Sequence, residues 1–198
     1  APEVLGSLSL REVLDAAAGR LANTGVTVPE GTVDEAQAFV IGRFEQLLRD
    51  ENVPAGLVKA VLPGASVPGH VSTRLEEIAA LKGLDSFRTL LAALVRTARI
   101  VPEGTTATLD AARLTEPAEA ELVKLVRAMP DNVEGLGSFV SACNSLAPAI
   151  HRFFDETLVM STEPELRAAR LGLLASVLAK APSGVDWKAL DTALDTGH

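Results

Sequence analysis

Tyrosine is absent from this 198-residue sequence, and tryptophan and cysteine occur once each, at Trp187 and Cys143. A single cysteine excludes an internal disulfide and any cysteine-rich zinc site, and it fits a reducing cytoplasm. Cys143 reads as a buried, inert thiol rather than a nucleophile. With only six phenylalanines beside the one tryptophan, the core of a chain that is 47% hydrophobic must be built from Leu, Val and Ala. That composition favours helices packed closely through small residues. No apolar run approaches the roughly 18–20 residues that span a bilayer. The N-terminus has no charged and apolar leader, so a soluble protein with no membrane partner is expected. The sequence opens at Ala1 without an initiator Met, which suggests an excised piece of something longer.

Catalytic signatures are missing as well. There is no glycine-rich phosphate loop, nucleophile elbow or metalloprotease motif. The three histidines, His70, His151 and His198, stand far apart, and none is followed by a second ligand at helical spacing. No metal site, catalytic residue or resident cofactor is assigned. The formal net charge of -8 argues against DNA as a partner and against wholesale coating of any nucleic acid, because nonspecific affinity comes from Lys and Arg neutralising phosphates. Acids outnumber bases on both sides of Gly104. A polyanion site must therefore be confined to individual helices.

What is present is helical. Ser9 with Glu12, and Thr32 with Glu35, form capping-box patterns ahead of residues at helical spacing. Behind the second, Ala36, Phe39, Val40, Phe44, Leu47 and Leu48 are expected to line one face. Pro54 suits the first turn of a short helix, Asp85 and Thr115 are good N-caps, and Asn132 is expected to cap a helix running through Leu146. Pro148 either kinks that helix or starts a new one. Thr162 opens a helix to about Lys180, and a last helix spans Asp186 to Leu194 before a frayed Thr196–His198 end. The expected fold is an all-α bundle of eight to ten helices. Pro102 to Thr108 breaks the pattern and suggests two helical subdomains, 1–104 and 105–198.

The segment from Ser86 to Val101 contains no Asp or Glu. At 100° per residue, Phe87, Leu90, Leu91, Leu94, Ala98 and Val101 fall within an arc of about 100°, while Arg88, Arg96 and Arg99 group on another side. In a chain this acidic, that side is either a phosphate-contacting surface or a solvated face paired with acids of neighbouring helices.

Two stretches together carry a resemblance. Phe153-Phe154-Asp155, then Leu158-Val159-Met160, then Glu165-Leu166-Arg167-Ala168-Ala169-Arg170-Leu171-Gly172-Leu173-Leu174 resembles the end of the beta subunit of the bacterial two-subunit glycyl-tRNA synthetase. That family shows an FFD, V-M-V, acidic residue, LR-x-x-RL-x-LL progression there. Upstream, Phe39 with Arg43 and Leu47-Leu48, then Val58-Lys59-Ala60-Val61-Leu62, then Arg74-Leu75, then Arg96 and Ile100 follow the family's order. The LR-x-x-RL run is shared with DALR-type anticodon-binding domains. Departures are Val95-Arg96 where the family has Lys-Arg, Arg99 in place of its Asn, and Ala169 in place of the Asn before Arg.

The resemblance implies an all-helical anticodon-binding region of a glycine-tRNA ligase, not catalytic by itself, with glycine tRNA and the rest of the synthetase as partners. ATP and magnesium would serve only the parent enzyme. Arg88, Arg96 and Arg99 would meet phosphates of the anticodon loop, with His151, Arg152 and Phe153 as candidates for base contact. Phe153 and Phe154 have a competing assignment to the core. Arg167 and Arg170 fall inside the apolar stripe of their helix. A carboxylate such as Asp155, or carbonyls of the link around Met160, is expected to hold at least one of them in a structural clasp. A helical scaffold that docks other proteins, without nucleic-acid specificity, is the alternative from a different class.

Overall fold

The computed structural model describes residues 8–131, 133 and 135–195. Among them, ten α-helices and one 3-10 turn make up the regular structure, with no strand. The helices are α1 (Leu10–Asn23), α2 (Thr32–Asp50), α3 (Ala55–Val61), α4 (Pro68–Leu81), α5 (Asp85–Ile100), α6 (Pro117–Ala128), α7 (Leu136–Ala142), α8 (Leu146–Glu156), α9 (Pro164–Lys180) and α10 (Trp187–Asp195). The all-α expectation holds.

Several helix starts lie one residue from the expected cap. Ser9 does cap α1, its Oγ accepting from Glu12 N at 3.5 Å. Gly31, left-handed at φ 85°, takes the cap position of α2 in place of Thr32. Leu84 rather than Asp85 precedes α5, so one acid joins that helix as its first residue. Glu116 and Glu163 cap α6 and α9 in place of Thr115 and Thr162. The last two shifts have one cause. Each glutamate precedes a proline, which keeps it extended (ψ 147° and 115°) and pre-sets the first helical residue. The helix expected through Leu146 is divided at Cys143–Ser145, and Pro148 sits in the first turn of α8, where its missing N–H leaves no helical bond unmade. Asn132 and Thr196–His198 lie outside the described residues.

The chain gathers into two units, Ala1–Glu76 with Ser183–His198 and Glu77–Pro182. This differs from a division at Pro102–Thr108. That break lies wholly within the second unit, where Thr108 N donates to the Gly172 carbonyl at 3.2 Å. A Cβ on Gly172 would fall onto Thr108 Oγ1, so glycine is what lets the linker lie against α9.

In the first unit α10 packs on α3. Asp186 N donates to the Ala60 carbonyl at 2.7 Å, while Asp186 Oδ1 caps α10 by accepting from Lys188 N and Ala189 N, each at 3.0 Å. Val58, Val61, Trp187 and Leu190 are buried there. A Cβ on Gly56 would lie 2.8 Å from Ala193 Cβ, so α3 and α10 approach through a glycine. The periodicity of α2 is only partly used. Leu48 is its one buried residue among those described, and Phe39, expected on the inward face, is 70% exposed.

In the second unit α5, α6, α8 and α9 surround a core of Phe87, Leu90, Leu94, Leu122, Ile150, Phe153, Leu173 and Leu174. The buried arc of α5 is wider than expected, taking in Ala93, Val95 and Thr97. Thr97 is accommodated because its Oγ1 donates to the Ala93 carbonyl at 2.8 Å.

Candidate nucleic-acid interface

Burial of one face of α5 fixes where its other face points. Phe87, Leu90, Leu91 and Leu94 anchor it in the core, and Arg88, Arg96 and Arg99 are all exposed on the side away from those anchors. Beyond Asp85 at its first position the helix carries no acid, so no carboxylate of α5 itself competes for these guanidinium groups. Arg88 Nε donates to the Lys82 carbonyl at 3.3 Å, just past the end of α4.

The neighbouring helix α8 meets this face at two points. His151 Nε2 lies 3.2 Å from the Thr89 carbonyl, which makes that nitrogen the donor and ties α8 to the middle of α5. One turn on, Arg96 Nη1 lies 3.1 Å from Asp155 Oδ1, and Arg96 Cζ stands 4.4 Å from the centroid of Phe154. Phe154 is half-buried and meets the fully buried Phe153 edge to face, with centroids 5.8 Å apart and rings at 74°. The Arg96 and Asp155 side chains are 46% and 67% exposed, so water screens their attraction, which is worth about 0–1 kcal/mol. The pair orients Arg96 more than it stabilises the fold.

Arg152 is engaged differently. It pairs with Glu156 at 2.8 Å and Glu121 at 2.7 Å, and these carboxylates, Glu156 foremost, push the guanidinium still further above its ordinary value. Of the six residues expected to contact RNA, the three arginines of α5 share one exposed face and His151 borders it. Arg152 is committed to two acids, and Phe153 belongs to the core. Of the two phenylalanines with a competing assignment to the core, Phe153 takes it and Phe154 is the ring that reaches this face. Two adjacent phenylalanines give no sign of which one turns inward until α8 is placed.

The clasp forms on carbonyls of the link around Met160, with Glu119 rather than Asp155 as its carboxylate. Arg170 is buried, its Nε 2.7 Å from Glu119 Oε1 and its Nη1 donating to the Leu158 carbonyl at 2.8 Å. Glu119 Oε2 also accepts from Glu116 N at 3.0 Å, so one carboxylate serves both the cap of α6 and the arginine of α9. Asp155 holds neither Arg167 nor Arg170, because the end of α8 directs it to Arg96 instead. Arg167 makes only a long 3.5 Å contact with the Ser161 carbonyl. Glu119 lies 51 residues from Arg170 in sequence, and no local pattern pairs the two.

Elsewhere Cys143 is buried, its Sγ 4.0 Å from Met129 Sδ, and burial pushes the thiol up to about 12. Among the described residues no helix is long and apolar enough to cross a membrane.

The fold is that of an all-helical domain, and its family places it in the anticodon-binding class. Residues 90–190, from the middle of α5 into α10, match the DALR anticodon binding domain, and the chain belongs to that family. It is also similar to the glycine-tRNA ligase beta subunit of Anaeromyxobacter dehalogenans (strain 2CP-C), 33% identical over 180 residues that cover 85% of this chain and 25% of that protein. The beta subunit of Tolumonas auensis is 30% identical over 186 residues, 87% of this chain and 26% of that protein. That of Leptothrix cholodnii is 36% identical over 151 residues, 70% and 21%. The chain thus spans about a quarter of the length of the curated relatives it matches.

Proposed function

We propose that this chain grips the anticodon end of glycine tRNA on behalf of a longer cytoplasmic glycine-tRNA ligase, whose catalytic site lies in its alpha subunit or in fused catalytic domains. ATP and magnesium would act there, and the segment itself needs no cofactor. The observation that carries this reading is the α5 face. Three arginines stand exposed on a helix with one acid at its very start, in a chain of net charge -8, and two of them, Arg96 and Arg99, lie within the part that matches an anticodon binding domain, with Arg88 just before it. Arginines spaced along one helix face fit the phosphates of a loop, and unpaired loop bases are read beside them.

The test is fluorescence anisotropy of the chain with labelled glycine tRNA at two salt concentrations, repeated with Arg88→Glu and Arg99→Glu together. Affinity should fall at least tenfold in the variant, and the slope of log affinity against log salt should flatten by about two phosphate contacts. Equal affinity of the unaltered chain for glycine tRNA and an unrelated tRNA would instead favour a protein-docking scaffold.

A further inference from the structure

We propose that Arg96 is a base-stacking platform rather than a phosphate contact, with Phe154 as the floor beneath it and Asp155 as the clamp that fixes its plane. The proposal rests on the RNA-binding reading above. Three observations carry it. The guanidinium carbon stands 4.4 Å from the Phe154 centroid, within contact of the ring, so one side of the group is occupied. Asp155 holds one edge at 3.1 Å and compensates much of its charge. Yet 46% of the Arg96 side chain is exposed, which leaves a surface open to solvent.

A guanidinium already seated over a ring can take an unpaired base on its open side, since planar cations and base faces stack without sequence preference. Phe154 is held in turn by its edge contact with buried Phe153, which anchors the floor to the core of the unit. The ligand would be an extruded, single-stranded RNA base, and the platform predicts tolerance of base identity at that position.

Two substitutions separate the readings because they predict opposite signs. With the anticodon stem-loop of glycine tRNA carrying 2-aminopurine at an unpaired position, the chain should alter the fluorescence of the probe on binding. Arg96→Lys keeps the charge but loses the plane, and should weaken binding about tenfold with an unchanged salt slope. Asp155→Asn should weaken binding too, by releasing the clamp. Tighter binding and a steeper salt slope in Asp155→Asn would overturn the platform and make Asp155 a competitor for a phosphate-binding Arg96. Retained affinity in Arg96→Lys would overturn it as well. Thermal melts of both variants should match the parent, which excludes misfolding as the cause. If the unaltered chain fails to bind glycine tRNA at all, the proposed function fails, and this outcome is distinct from either result above.

Discussion

Arg96 and Arg170 each lie within about 3 Å of a carboxylate, yet they do opposite things. Arg96 meets Asp155 where the two side chains are 46% and 67% exposed, whereas Arg170 meets Glu119 where the figures are 10% and 1%. Burial decides the difference. The exposed pair gains little because water screens it, and the guanidinium keeps an open surface for a ligand. The buried pair has no solvent to fall back on, so each partner must be satisfied from within. Arg170 is, by Glu119 and the Leu158 carbonyl, and Glu119 is, by Arg170 and the N–H that opens α6. The stretch whose sequence most marks the family therefore contributes a clasp that places α9 and the end of α8. The side chains of the proposed site stand on α5 and α8.

Breaking the buried member should have the largest effect. Arg170→Ala leaves Glu119 charged and unpaired, and should lower unfolding stability by about 3–5 kcal/mol in urea denaturation. Replacing both partners with apolar residues of similar size, Arg170→Met with Glu119→Leu, should destabilise less than either single change. A second contrast sharpens the role of α9. Gly172→Ala must displace Thr108 and should destabilise by about 1–3 kcal/mol. Gly42→Ala, in α2 with open space around it, should stabilise by about 0.5–1 kcal/mol in the same assay.

The exposed member should respond far less in stability. Arg96→Ala should change it by less than about 1 kcal/mol, while changing RNA binding. The smallest expected effects are local titrations. Asp131 pairs with Lys180, whose hydrogen bond holds the carboxyl below its ordinary value of 3.8. Whatever stability this pair adds is present above that ordinary value and lost as pH falls through the lowered one, and NMR titration of Asp131 should show the lowered midpoint. Cys143, with its thiol pushed up to about 12, should resist alkylation at pH 8 in the folded chain and react promptly in denaturant.

Most of the fold was legible because helices announce themselves through periodicity and caps. The errors have physical sources. Proline moved two caps by one residue, and the repeat of α2 overstated its burial, leaving Phe39 in solvent. The division into units was not legible, because a turn such as Pro102–Thr108 looks the same in sequence whether it ends a unit or lies folded against a helix. At the candidate site, the spacing of Arg88, Arg96 and Arg99 placed them together and outward. The inward-lying Arg170 was also readable, since a charge inside an apolar stripe demands a partner. Which partner it takes was not readable. Asp155 and Glu119 are both carboxylates within reach of a plausible loop, and only the packing of α6, α8 and α9 assigns one to each arginine.

The proposed function requires that the anticodon is what this chain recognises. Competition binding of the unaltered chain to glycine tRNA, and to the same tRNA with only its anticodon bases replaced, isolates that claim from general attraction to phosphate. The natural anticodon should be preferred at least tenfold, and the preference should persist as salt is raised. Equal competition by the two RNAs would contradict it.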